Sequence, residues 1–359
     1  MLRSLISMLA LALSGLLSGC GAAGSKRVLS DPARSVVAPS AIRVVDFEGR
    51  GLAELPASIN RFDRLEVLDL SGNNLTSLPQ QVAALERLEV LDLPCNRLEA
   101  IPNCVFALRR LMWLSLGGNN VSGIPDGVAS LRRLRGLTVE GNRLTEVTPA
   151  ILGLVDLREL VLSHNQIAVL PQGMGRLGRL TRLHLDFNRI AAFPQGFSFP
   201  PHLQYLDLSG NELTELPPAI GALADLQELR CDINALTAIP REIAGCRQLR
   251  HLSFGNNGPG FNAVTELPPE LFDLRRLEFL SLEWNGIESL PDAIAQLSRL
   301  TELRLDNNRL TDLPRGIGKL RKLKLLSLTG NPICAESLDR VRQALPATTV
   351  QFRTEERLE

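Results

Sequence analysis

The sequence predicts an α/β solenoid, a stack of short coils that each carry one strand. Three observations predict it. First, Leu65 recurs as Leu88, Leu111, Leu134, Leu157, Leu180, Leu203, Leu226 and Leu249, always 23 residues on. Leu277 follows after 28, Leu300 and Leu323 after 23 each, and an imperfect copy starts at Ile42. Second, the apolar residues keep fixed places inside each copy, as in Leu65–Pro79, which reads L-x-x-L-x-L-x-x-N-x-L-x-x-L-P. Third, the asparagine at Asn73 returns at 96, 119, 142, 165, 188, 211, 234, 257, 285, 308 and 331, and only the first copy lacks it, with Arg50 there. A fixed period in the 20–29 range marks a repeat array and outranks any local motif. Thirteen copies fill Ile42 to about Ile333.

The spacing within one copy has a physical reading. With Leu65 as position 1, Leu68 and Leu70 alternate with polar neighbours, so they point inward from a short strand. Asn73, at position 9, stands where the chain leaves the strand. Its amide offers donors and an acceptor to backbone groups that the turn would otherwise bury unpaired. Leu75 and Leu78 fill the turn, Pro79 opens the return segment, and Val82 and Leu85 cover the back of the sheet. One copy cannot bury these groups alone, whereas stacking joins them into one core. Each fully buried leucine contributes roughly 2 kcal/mol before entropy.

Taken in order, the chain starts with a leader. Residues 1–20 read MLRSLISMLALALSGLLSGC, one early arginine and then an apolar run from Leu5 to Leu17. That run is too short to span a bilayer as a helix and fits the apolar region of a secretory signal. Leu17-Ser18-Gly19-Cys20 resembles the lipobox of bacterial lipoproteins. The resemblance implies cleavage before Cys20 and lipid on its thiol. The alternatives are an ordinary signal cut near Ala22–Ala23, or an N-terminus that is not secreted. Residues 21–41 read as a polar, proline-containing tether without periodicity.

Copies 1–9, Ile42–Gln248, keep the period without a gap. In copy 7, Phe193, Phe197 and Phe199 replace aliphatics. Cys231 and Cys246 hold leucine positions and read as buried thiols. Copy 10 carries five extra residues within Gly258–Val264, after Asn257, and their glycine and proline mark a loop. Residues 334–359 leave the pattern. Leu338, Val341 and Leu345 have helical spacing, Pro346 ends that helix, and Val350–Phe352 alternates like one last strand. Such a segment caps an open repeat core. Cys334 follows Asn-Pro without the partners of a cysteine cap.

The pairs Leu55-Pro56, Leu78-Pro79, Ile101-Pro102, Ile124-Pro125, Leu170-Pro171 and Leu216-Pro217, each followed by an apolar position 18, carry a family resemblance. The array resembles the leucine-rich-repeat family in its 23-residue L-P-x-x-I class. That resemblance implies a right-handed horseshoe, parallel strands on its concave face, and a protein that binds other macromolecules. Thirteen units do not suit a barrel of eight βα units.

Positions 3, 5 and 7 of each strand face the concave side, and position 8 borders it. Trp113, Tyr205 and Trp284, all the tryptophans and tyrosines of the chain, fall there. So do His164, His184 and His251, with Phe279 beside the last. Tryptophan and tyrosine are the residues enriched at binding hot spots. The same face is acidic: Glu140, Glu159, Asp186, Asp207, Glu228, Asp232, Glu283, Glu302 and Asp306 oppose Arg182, Arg230 and Arg304. This pattern points to a protein or peptide ligand that is basic, or to a hydroxyl-rich envelope glycan. The candidate binding set is Trp113, His184, Asp186, Tyr205, Arg230, Asp232, His251, Phe279, Glu283, Trp284 and Arg304.

Composition sets the outer bounds. Charge balances, with 39 basic and 39 acidic residues among 359, so nothing pulls the chain globally toward nucleic acid. Arginines just before most of the strands, such as Arg64, Arg87, Arg110 and Arg133, form a solvated basic rim. Gly173–Gly178 matches G-x-G-x-x-G but lies on the return segment, not after a strand, and is set aside. No nucleophile–base set, zinc spacing or phosphate loop appears, so neither an enzyme nor a cofactor nor a metal is expected. The expected location is the bacterial envelope, outer membrane or cell surface, through the lipid anchor; if the N-terminus is not a signal, the alternative is a cytosolic leucine-rich-repeat signalling adaptor.

Overall fold

A computed structural model of the chain describes residues 27–29, 39–258 and 260–353. The leader, its lipidation candidate Cys20, most of the tether and Pro259 lie outside the described residues. Among the described residues, fifteen short strands form one parallel sheet whose spatial order follows the chain. β2 (Ile42–Asp46) to β14 (Leu325–Ser327) come one from each of the thirteen copies. The molecule is a right-handed α/β solenoid with the strands on its concave face. Leu68 pairs with Leu91 and Leu91 with Leu114, so the inward leucines form vertical columns. These three are 0%, 0% and 2% exposed.

Most strands are three residues long because of what brackets them. Position 8 adopts left-handed φ in every copy except the tenth, whether the residue is glycine, as at Gly72 and Gly118, or Cys95, His164, Phe187, Ile233, Trp284 or Asn307. That conformation turns the chain out of the sheet. On the convex side, a proline with φ near −66° opens a five-residue 3-10 turn, as Pro79 does for Gln80–Ala84. A 23-residue coil leaves room for this turn and not for a longer helix.

The asparagine column sews neighbouring coils together. Asn119 donates from Nδ2 to the carbonyls of Leu93 (3.0 Å) and Leu116 (2.9 Å), and its Oδ1 accepts from the Leu98 amide (3.0 Å). Two of those three partners belong to the preceding coil. In copy 10 this role falls to Asn262, not to Asn257 as the sequence suggested. Asn262 donates to Cys231 O (2.9 Å) and accepts from the Leu236 amide (2.9 Å), whereas Asn257 is exposed. The five extra residues are therefore 257–261. Asn256 holds their two ends together, accepting from the Asn262 amide and donating to the Asn262 carbonyl. The choice is settled downstream, because only Asn262 precedes the buried Val264 by the two residues that every other copy uses.

The convex turns pack through glycine. A Cβ added at Gly245 overlaps the carbonyl oxygen of Gly221, and one added at Gly221 reaches within 2.6 Å of the Glu242 carbonyl oxygen. Gly245→Ala is expected to destabilise the protein by about 2 kcal/mol, since neighbouring backbones must part. Urea unfolding checks this, and an unchanged midpoint would show that the turns move apart freely. Nearby, Phe193, Phe197 and Phe199 form a ring cluster with centroids 5.0–5.2 Å apart. Cys231 and Cys246 are buried free thiols, and burial pushes the Cys246 thiol up to about 12.

Both ends of the sheet carry an extra strand. β1 (Arg27–Leu29) pairs with β2, and β15 (Thr349–Gln351) pairs with β14. Between β14 and β15, helix α1 (Ala335–Ala344) buries Leu338 and Val341, with Leu345 at its C-cap also buried. Arg340 fixes α1 to the last coil by donating to Asp312 and to the Leu313 carbonyl, both at 2.7 Å.

Candidate functional site

The outward residues of the sheet form columns, and the columns sort chemistry. Trp113, at position 3 of β5 (Trp113–Ser115), lies flat along the sheet over its strand partner Gly136. A Cβ at 136 would overlap the six-membered ring of the indole. Trp113 is thus held by its bare neighbour and stands apart from the other candidates.

A second group centres on Tyr205 of β9 (Tyr205–Asp207). The His184 ring packs on it with centroids 4.5 Å apart. The Arg182 guanidinium sits 4.5 Å from the ring centre and that of Arg230 5.9 Å. The Tyr205 hydroxyl donates to Asp207 Oδ2 at 3.0 Å. Burial, then the Asp207 charge, raises the phenol well above its ordinary range. Arg182 pairs with Glu159 at 3.1 Å and Arg230 with Glu228 at 2.6 Å. Burial, then the charge of Arg182, pushes His184 down to about 4. It is therefore neutral at pH 7, and its buried Nε2 has no hydrogen-bond partner.

A third group surrounds an open concavity of about 430 Å³. Arg230, Asp232, His251, Phe279, Glu283 and Arg304 all line it, so six of the candidates meet here. His251 stacks on Phe279 with centroids 4.0 Å apart and planes 5° from parallel. The Arg304 guanidinium lies 5.3 Å from the Phe279 ring centre and pairs with Glu302. Gly255 forms the floor between Asp232 and Glu283, and a Cβ there would lie 3.3 and 3.5 Å from their carboxylate oxygens. Burial raises both of these acids above the usual carboxylate range, and Asp186 likewise.

Sequence reasoning passed over Phe187 and Ile233. Both sit at position 8 with left-handed φ, as the candidate Trp284 does. Phe187 is 45% exposed and stacks on His164, centroids 4.5 Å apart. The signal was present: a bulky apolar residue where other copies place glycine. It carried no weight without knowledge of the backbone conformation there.

Near the N-terminal end, Asp92 stands beside Asp69 on the adjacent strand. Burial, and then the charge of Asp69, push its carboxyl up to about 7. The folded protein thus holds a proton that the unfolded chain releases above about pH 4. Stability should fall as pH climbs from about 4 to about 7 and stay reduced above that. Asp92→Asn removes the titration. We expect the variant to exceed wild type by about 2 kcal/mol at pH 8 and to match it at pH 4, by urea unfolding at both pH values. Equal stability at pH 8 would refute the account.

Comparison with known proteins agrees with the coil geometry. The family described as "Leucine-rich repeat region" matches residues 34–142 and 260–343, and "Leucine rich repeat" matches 132–190 and 178–232. No curated protein sequence is close enough to count as a match. Among solved structures, a leucine-rich repeat protein of Leptospira interrogans is similar at 27% identity with TM-score 0.70, covering 91% of this chain and 100% of that one. An internalin of Listeria monocytogenes shares the fold at 22% identity with TM-score 0.75, covering 87% of each chain. The PEPR1–AtPEP1 structure is similar at 26% identity with TM-score 0.72, covering 87% of this chain and 45% of that one. With one family pattern spanning more than half of its 359 residues, the chain belongs to the leucine-rich repeat family.

Proposed function

We propose that this protein is an envelope-anchored bacterial lipoprotein that binds a protein or peptide on its concave face. The observation that carries the reading is the grouping of Tyr205, His184, His251 and Phe279 with arginines and carboxylates over the middle coils. Aromatic and arginine side chains arranged this way supply rigid, amphipathic contact area. The likeness to the PEPR1–AtPEP1 structure supports a polypeptide ligand. A glycan ligand is favoured less. Sugar stacking needs free ring faces, whereas Tyr205 and Phe279 already carry a histidine and a guanidinium. Nothing in these groups calls for catalysis, a cofactor or nucleic acid.

The test is a pull-down from envelope extract with wild type and with Tyr205→Ala/Trp113→Ala. We expect the variant to fold and to lose the partner. Equal capture by both proteins would end the concave-face reading. Anchoring is tested separately with a fatty-acid analogue in growing cells. Wild type should take up the label and Cys20→Ser should not, and a label retained by Cys20→Ser would refute lipidation at that residue.

A further inference from the structure

Two sets stand out among the concave carboxylates. Glu159, Glu228 and Glu302 each hold an arginine, namely Arg182, Arg230 and Arg304. Asp186, Asp232 and Glu283, all at position 7, form no ion pair within 4.0 Å among the described residues. Each receives a serine hydroxyl instead, from Ser163, Ser253 and Ser281 respectively. These three acids stand on alternate coils, the seventh, ninth and eleventh, and the run ends at the twelfth, where Asp306 at position 7 accepts from Ser327 in the same way. The eighth coil places Ser209 in the same column. Ser209 is 8% exposed, and its hydroxyl is buried with no partner. A buried polar atom left unpaired is costly, and a ligand group would relieve it.

The neighbouring column repeats the alternation. The residues after the three acids are Phe187, Ile233 and Trp284, with φ of 52°, 54° and 55°. Left-handed backbone disfavours side chains, and for a β-branched residue such as Ile233 it is a genuine outlier. Glycine serves at this place in other coils, Gly210 between the first two among them. Strain kept where glycine would serve points to a use for the side chains. Each alternate coil thus presents one unneutralised acid beside one large apolar group.

The spacing selects the shape of what fits. Parallel strands lie about 4.8 Å apart, so alternate coils are about 9.6 Å apart. A polyproline II chain brings every third residue to the same side after about 9.3 Å. A β-strand returns to one face every ~6.7 Å, and two α-helical turns advance ~10.8 Å, so both lose register within two steps. Resting on the concave-face reading above, we propose that coils 7 to 11 bind an extended polypeptide that crosses the strands in polyproline II conformation. It carries a basic residue at every third position, over Asp186, Asp232 and Glu283. An apolar residue next to each basic one packs against Phe187, Ile233 and Trp284.

Three labelled nonapeptides of one composition test this by fluorescence anisotropy. The first is Lys-Leu-Pro repeated three times. In the other two the lysines stand two or four apart. The first should bind at least tenfold tighter than either isomer, and should weaken as salt is raised. Two variants should each reduce its affinity at least tenfold: Asp186→Asn/Asp232→Asn/Glu283→Gln, and Phe187→Gly/Ile233→Gly/Trp284→Gly. The two variants act independently, so misfolding of one leaves the other informative, and circular dichroism reports on both. Equal binding of the three isomers, no binding of the first to wild type, or full affinity in a folded variant would overturn the proposal. If the register fails while the envelope partner is still lost in Tyr205→Ala/Trp113→Ala, the broader reading stands alone. If that capture is also unchanged, both fall.

Discussion

Asn165→Ala should destabilise the protein by about 3–5 kcal/mol. Asn165 lies in the middle of the array and is 9% exposed. Its Nδ2 donates to the carbonyls of Val139 (2.8 Å) and Leu162 (3.0 Å), and its Oδ1 accepts from the Leu144 amide (3.0 Å). Alanine leaves one amide and two carbonyls without these partners in a site that water does not reach. Each such group costs about 1–3 kcal/mol, and some recovery by local relaxation is already counted in the total. Because each coil contacts only its neighbours, the loss should also divide the array, and denaturation should turn biphasic. Hydrogen exchange gives a site-specific check, since the Leu144 amide should lose protection first. A loss below 1 kcal/mol with one sharp transition would show that the ladder is not a stabilising element.

Leu206→Ala should cost about 3–4 kcal/mol, in line with other large-to-small changes at fully buried leucines. Leu206 is 0% exposed and pairs in the sheet with Leu183 and Leu229, both also 0% exposed. Columns above and below hold their places through their own ladders, so the vacated volume should not collapse. The contrast with the adjacent residue is informative. Tyr205→Ala removes a larger side chain from the face of the sheet, and its cost should stay near 1 kcal/mol, mostly lost ring contacts. Thermal or urea unfolding of the two variants side by side measures the difference. Comparable losses would mean that the aromatic cluster is part of the core and not a surface laid upon it.

Much of this was legible in the sequence because a repeat converts position into geometry. Leu68, Leu91 and Leu114 hold the same place in successive 23-residue copies, and they pair in adjacent strands. The place of the insertion was not legible. Asn257 and Asn262 both suit the ladder locally, and only the fit to Val264 separates them. The charge pairing was not legible either. Arg182 reaches back one coil to Glu159, whereas Arg230 and Arg304 turn to Glu228 and Glu302 on their own strands. Long side chains can choose either neighbour, and the packing of rings such as Tyr205 and Phe279 decides. Position 8 was hidden for another reason. Backbone conformation is set by the turn, and a one-letter pattern reads Phe187 and Gly210 only as different residues.

The one-strand-per-coil sheet has a consequence for how such a surface can change over generations. Gain or loss of a whole coil shifts everything beyond it by a single fixed step of about 4.8 Å. Distances along the wall therefore come in integer multiples, as on a ruler. Deleting coil 8 would bring Asp186 and Asp232 onto adjacent rungs and reset the pitch of any bound chain. Fine adjustment is left to side chains, while coarse retuning is a matter of copy number.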